Sequence, residues 1–322
     1  MTSSQDLYKR KARITIENTK YKFDMELDDL EIRFYCNFDS NSTPNTCKLE
    51  IFNLTSSTIS KITKNSKVTV SAGYRHDFGL ITEGLVTNKA TYEDGSDKMT
   101  KVIFKEGFDK SHIKVTGKTA TNPKKHFVMK KTKLKKPIKS VTTTKDGKKV
   151  TKTVKYKKTK QLEYKKSTLN ITFKKGTRAS TIIRKLCSVL GIKISKMNLP
   201  KDHIYKSGFK VSGGVENKLK RVVRDCKASM YWVRGAVVIR SIEVGDDSRF
   251  VLKESTGLIS VEEWEEDKKK GVIITALLCH RMTTASIITI DNKEHKGKYR
   301  VMSGKHYYDG TDFMTTAKLL KV

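Results

Sequence analysis

Seven histidines and five cysteines are the residues of this 322-residue chain best suited to nucleophilic or metal chemistry, and their spacing arranges neither. The histidines stand singly, and none lies at ligand spacing from a cysteine or carboxylate. Cys279 and His280 are adjacent, but in a strand neighbouring side chains point to opposite faces and make no nucleophile–base pair. Cys36, Cys47, Cys187, Cys226 and Cys279 are odd in number and form no C-x-x-C pair, which points to core packing in a reducing compartment and away from a disulfide framework or a zinc site. The chain holds no H-E-x-x-H, G-x-S-x-G, Walker or G-x-G-x-x-G motif. Asp94-Gly-Ser-Asp and Asp309-Gly-Thr-Asp resemble pieces of a calcium loop but lack its alternating ligands and its final glutamate, so they read as turns. The expectation is a protein that is no enzyme, with no catalytic residue, cofactor or metal site.

Charge is where the sequence speaks of interaction. The formal net charge is +33, from 67 basic and 34 acidic residues. Only 13 of the bases are arginine, the residue for bidentate base reading, which argues against sequence-specific nucleic-acid recognition. Lys114–Lys166 holds 20 lysines against Asp146 and Glu163. Such a tract can neutralise many phosphates with a steep salt dependence. Its aromatic content is thin (Phe127, Tyr156, Tyr164, with His126), so nonspecific polyanion contact or an acidic protein partner is what it supports. The candidate contact residues are Lys130, Lys131, Lys133, Lys135, Lys136, Lys148, Lys149, Lys157 and Lys158. Trp264, inside the run Glu262–Glu266, is a further candidate anchor. Alternating threonine and valine around Asp146-Gly147 suits a long β-hairpin, and a solvated linker fits the same composition.

The elements that would position these residues are mostly strands. Arg13–Phe23, Leu30–Asn37 and Lys48–Asn53 alternate apolar and polar residues, and Asn53–Ile62 reads as a strand end feeding a short helix. Val68–Gly107 then reappears in shortened form at Ile287–Leu320: a strand, a glycine-led strand, a Tyr-x-Asp-Gly turn and a Met-Thr strand recur in the same order. The second copy has no clear equivalent of Asn53–Ile62. Between the copies, Thr177 can cap and Gly191 can end one helix, Val215–Cys226 carries a second, and Ser229–Arg240 reads as a tight hairpin whose Trp232 is expected to pack onto those helices. The expected class is α+β, mostly β, with one β domain over 1–110, a lysine-rich insertion over 111–166, an α+β domain over 167–254 and a second β domain over 255–322. No run approaches the roughly 18 apolar residues of a membrane span, and no signal peptide is expected.

Three segments carry a family resemblance. Leu49–Thr58 with Val70–Tyr74 and Gly79–Gly84, then Phe173–Ile183 with Leu190–Ile192 and Val211–Val215, then Thr256–Ile259 with Gly271–Arg281 and Gly297–Val301, together resemble the late-control D type of central baseplate hub protein, found in contractile phage tails and phage-tail-like bacteriocins. The resemblance covers most of the chain outside the lysine tract. It implies two related tube-like antiparallel β-barrels flanking a small α+β domain. It further implies a homotrimer whose six barrels make a pseudo-six-fold ring, adapting the hexameric tail tube to a trimeric spike and nucleating tube assembly. Tube protein, central spike, tape-measure and baseplate wedge proteins would be partners, in a virion tail baseplate assembled in the bacterial cytoplasm. The lysine tract departs from the family's pattern and would face outward or clamp an acidic neighbour. A basic nucleic-acid-binding protein acting through Lys114–Lys166 is the alternative, and a wall hydrolase is disfavoured by the missing catalytic constellation.

Overall fold

The computed structural model describes residues 7, 9–94, 97–107, 114–115, 125–143, 149–164, 171–266 and 269–322, with the backbone alone described at 94 and between 108 and 170. It divides into two compact units, Met1–Ile113 with Phe173–Phe209 and Val215–Val322, and Lys114–Thr172 with Lys210–Gly214.

The larger unit is built on one 13-stranded sheet. Its first half comprises β1 (Arg10–Glu17), β2 (Lys22–Glu26), β3 (Ile32–Asp39), β4 (Thr46–Phe52), β5 (Lys67–Tyr74), β6 (Asp77–Asp94) and β7 (Asp97–Glu106), with helix α1 (Ser56–Lys61) between β4 and β5. Period-two burial puts Ile14, Ile16, Phe34, Leu49, Ile51, Val68, Val70, Val102 and Phe104 on one face, where they form a single core. α1 buries no residue and is held by its ends: Thr55 Oγ1 accepts from Thr58 N, and Lys89 Nζ donates to the Ile59 and Ile62 carbonyls.

In the smaller unit, β8 (Lys125–Thr143) and β9 (Lys149–Tyr164) form a long antiparallel hairpin with one irregularity between Val154 and Tyr156. The proposed turn residues Asp146 and Gly147 lie outside the described residues, as does Lys148. Of the two readings of the tract, the ribbon is therefore the one observed over 125–143 and 149–164.

The α+β segment follows. α2 (Ala179–Leu190) ends at Gly191 in the left-handed conformation, φ 66°, as the sequence suggests. Its start differs. Thr177 donates to Lys174 O, and the first turn is capped by Asp202, whose carboxylate accepts from Ser180 N at 2.9 Å and Ser180 Oγ at 2.8 Å. A cap supplied from 22 residues away leaves no local trace in sequence. α3 (Val215–Asp225) presents Val215, Leu219, Val222 and Val223 to the interior. β10 (Ile194–Met197), β11 (Ser229–Val233) and β12 (Ala236–Arg240) make a small sheet with β12 central.

The C-terminal half of the large sheet comprises β13 (Asp246–Leu252), β14 (Leu258–Glu266), β15 (Lys269–Leu277), β16 (Ser286–Asp291), β17 (Lys296–Tyr308) and β18 (Phe313–Lys321). Its strand order repeats that of the first half. β1-β5-β6-β7-β4-β3 corresponds one for one to β13-β16-β17-β18-β15-β14. The recurrence seen in sequence maps β5–β7 onto β16–β18, and the structure extends it to six strands. Three differences remain. β2, paired to the outer side of β1, has no counterpart in the second half. β13 pairs parallel with β16, whereas β1 pairs antiparallel with β5. Where the first half carries α1, the second has the loop 278–285.

The two halves are joined by antiparallel pairing of β3 with the end of β17, from Asp39↔Ser303 to Phe34↔Tyr308. Gly304 is needed at this join, because a Cβ there would lie 2.4 Å from Thr316 O and 2.5 Å from the Phe38 ring. Gly304→Val is expected to cost about 1–3 kcal/mol, read as a lowered midpoint in urea unfolding. An unchanged midpoint would show that the join tolerates a side chain.

Candidate functional site

The feature that organises the described side chains is the strand seam between β3 and β17 and the groups that brace it. Phe52 N donates to Glu31 O, so odd residues of β3 turn their backbone groups toward β4 and even ones toward β17. Tyr35–Tyr307 is therefore a non-hydrogen-bonded pair across the seam. Its rings stack with centroids 6.4 Å apart, flanked by Lys48 Nζ at 3.8 Å over Tyr35 and Lys305 Nζ at 4.5 Å over Tyr307. On the other face Phe38 meets His306 at 4.8 Å, while Phe34, Tyr74 and Tyr308 surround Phe313 edge-on.

The loop 278–285 buttresses the seam from the second half. His280 Nε2 and Arg281 both meet Asp77 Oδ1 at 2.8 Å, and Thr284 Oγ1 donates to Asp39 O. Hydrogen bonding to His280, supported by Arg281, holds the Asp77 carboxyl below its usual range. His306 is fully enclosed. Its Nε2 donates to Met282 O, which fixes the tautomer, so its Nδ1 accepts from the Thr315 hydroxyl. Burial pushes its pKa down to about 3, so the ring is neutral and structural at neutral pH.

A third brace comes from the turn between β11 and β12. Arg234 donates to His280 O, and Gly235 N donates to the buried carboxylate of Glu106, which also accepts from Asn45 Nδ2 at 2.6 Å. Burial raises the Glu106 pKa against these hydrogen bonds. Trp232 lies with its ring against Gly107 and donates from Nε1 to Ser42 O, tying the α+β segment to the first β half. Glu106, Asp77 and His306 stood in the sequence as unremarkable strand residues. Only the fold supplies the partners that make each of them a brace.

Trp264 is half-buried. Its indole lies over Gly271, donates to Leu319 O at 3.1 Å and carries Lys318 Nζ 3.9 Å above the ring, so it rescues a glycine in the sheet. The lysine candidates are placed by the hairpin backbone. Lys130 pairs with Thr159, Lys131 with Lys158, Lys133 with Tyr156, Lys157 with Thr132 and Lys149 with Thr143, while Lys135 and Lys136 fall in the irregular stretch. Like charges opposite one another, as at Lys131 and Lys158, destabilise a ribbon. The five cysteines are buried, with Cys187 and Cys279 pushed up to about 12 and about 11 by burial. Among the described residues no group of histidine, cysteine and carboxylate side chains converges on a metal position.

No protein-family model and no curated protein matches the chain. Solved structures do match. The 43 kDa tail protein of prophage MuSo2 from Shewanella oneidensis superposes with a TM-score of 0.60 at 8% identity, over 96% of this chain and 98% of that one. The tail protein of Neisseria meningitidis MC58 gives 0.58 at 9% identity, over 98% and 97%. The E. coli c3393 protein, a type VI secretion component described as structurally similar to T4 bacteriophage tail proteins gp27 and gp5, gives 0.57 at 6% identity, over 96% and 76%. The chain thus has the mostly-β α+β fold of phage tail proteins and their type VI secretion counterparts.

His306 and Glu106, each buried, make stability pH-dependent in opposite senses. The neutral His306 favours the fold fully above the ordinary imidazole value of 6.5, and that contribution is lost as pH falls toward about 3, with a slope of at most about 1.4 kcal/mol per pH unit. Glu106, with its raised pKa, lowers stability as pH rises above its ordinary 4.5. In a Glu106→Gln chain the urea midpoint should fall between pH 6.5 and 4.5, and Glu106→Gln with His306→Gln should flatten that fall. Parallel profiles for the two chains would remove His306 as its cause.

Proposed function

We propose that this chain is a late-control D-type baseplate hub of a phage tail or tail-like particle. In this reading three chains bring six related β units into a pseudo-six-fold ring. The ring matches a hexameric tail tube on one side and a trimeric spike on the other, and nucleates tube assembly. It acts through interfaces and carries out no catalysis. Tube, spike, tape-measure and wedge proteins are its partners in the virion baseplate, and assembly takes place in the bacterial cytoplasm.

The observation that carries the reading is the six-strand correspondence between the two halves of the sheet, in a fold shared with phage tail proteins. One chain that presents the same strand order twice supplies two near-equivalent positions around an axis. Symmetry matching of a trimer to a hexamer needs that property. Closed rings are built from heterologous contacts, and the β3–β17 seam is such a contact already made within one chain.

For the lysine tract we infer a clamp on an acidic neighbour, or an outward face, because about 20 lysines lining a DNA passage would hold the DNA. The ribbon register supports a clamp by setting many lysines along two paired strands, with Lys131 directly opposite Lys158, a like-charged pair that an anionic surface would relieve.

Native mass measurement of the purified chain together with its tube and spike proteins should give a trimer of the 36.6 kDa subunit within the assembly. A monomer under those conditions would overturn the hub. Replacing Lys130, Lys131, Lys133, Lys157 and Lys158 by serine should lose one component from assembled baseplates. Unchanged composition would sink the clamp.

A further inference from the structure

Besides the outer edges of β2 and β13, two strand edges in the large sheet are left without a backbone partner among the described residues, and these two are counterparts of the two edges already joined. β14 pairs with β15 on one side only, and Ile259–Glu266 offers its other edge. β6 pairs with β7 through Asp94, but on its opposite side the pairing with β5 and the loop before it ends at Val86, leaving Asn88–Asp94 open. In the second half the equivalent stretch of β17, Ser303–Tyr308, is covered by β3. β14 corresponds to β3 and β6 corresponds to β17. Each chain therefore displays both halves of a seam that it has built once inside itself.

We propose that β14 of one chain pairs antiparallel with Asn88–Glu93 of a second copy, in the register of the β3–β17 seam. This rests on the ring reading above and specifies its contact. The register follows from the duplication. Thr100 and Thr315 are fully buried counterparts; the first pairs with Thr91 and the second with His306. Phe104 and Leu319, four residues further along, pair through Cys47 to Cys36 and through Val272 to Glu263. His306 pairs with Cys36, so Thr91 meets Glu263, Tyr92 meets Glu262 and Lys89 meets Glu265.

The chemistry of the edges agrees with this partner. Glu262, Glu263, Glu265 and Glu266 are exposed, and an edge with four carboxylates repels promiscuous strand addition. Opposite them the proposed register brings Lys89, fixed on the end of α1, and beside it Lys64, from the turn whose Asn65 N donates to Val86 O. Tyr92, half exposed in the single chain, occupies the position that Tyr307 holds in the internal seam. The partner edge is thus selected by charge as well as by shape.

The Tyr92–Glu262 pair is the counterpart of Tyr35–Tyr307 and so a non-hydrogen-bonded position, where Cα atoms come close enough for a disulfide. The full-length chain carrying Tyr92→Cys and Glu262→Cys, oxidised with diamide, should give disulfide-linked dimers and trimers on a non-reducing gel. Either single variant should not, and Tyr92→Cys with Glu263→Cys should link far less. Oligomers of native mass without cross-links would overturn the seam and leave the ring standing. Monomers throughout would overturn both. As a second measure, Glu262→Lys with Glu265→Lys, both exposed, should keep the far-UV circular dichroism and weaken self-association about tenfold or more. Undiminished association would overturn the seam.

Discussion

The structure depends on one backbone interaction, the antiparallel pairing of β3 with the last six residues of β17. Without it the chain holds two sheets, each with its own core and an exposed strand edge. With it the two become one sheet, and the side chains of both cores meet across the join, Phe38 entering the second core while Leu278 and Phe313 enter the first. Edge strands are a hazard because their unpaired amides and carbonyls accept any passing strand. This chain covers one edge internally and arms another with glutamates.

The braces around the seam show how its angle is held. Asp77 draws in His280 and Arg281, Glu106 receives Asn45 and the β11–β12 turn, and His306 is bonded at both nitrogens. Buried polar groups of this kind contribute little net energy when satisfied and cost a great deal when left unpaired. Their effect is therefore geometric: alternatives to the observed placement would strand a charge or a donor. Such contacts restrain the placement of the two β halves relative to each other more than they add stability. The α+β segment serves the same end, since Trp232 and Arg234 reach from it into the first and second halves respectively.

Local pattern was legible wherever one face of an element is buried. Period-two alternation marked the strands, helical spacing and Gly191 marked α2, and the recurrence of Val68–Gly107 at Ile287–Leu320 marked β16–β18. The rest of the duplication was hidden because β13–β15 share strand order with β1, β3 and β4 but no residue identities that a reader would trust. The α2 cap from Asp202 and the tie from Trp232 to Ser42 were hidden for a different reason: they join residues distant in sequence. Trp264 shows the converse. Its type and charged surroundings suggested an anchor for a partner, and the fold sets it over Gly271, opposite a neighbouring strand.

By itself the sequence determined a mostly-β chain with a helical middle, a partial repeat and a lysine tract. These follow from residue type and spacing, which act over a few residues. Tertiary structure alone decided that the two β segments share one sheet, which strand edges are paired and which are open, and which carboxylates and imidazoles are buried. Those outcomes depend on register and on contacts between residues hundreds of positions apart. A one-residue slip would turn every core side chain outward, so the register that closes the internal seam is settled by packing of the whole sheet and is written in no single stretch of the chain.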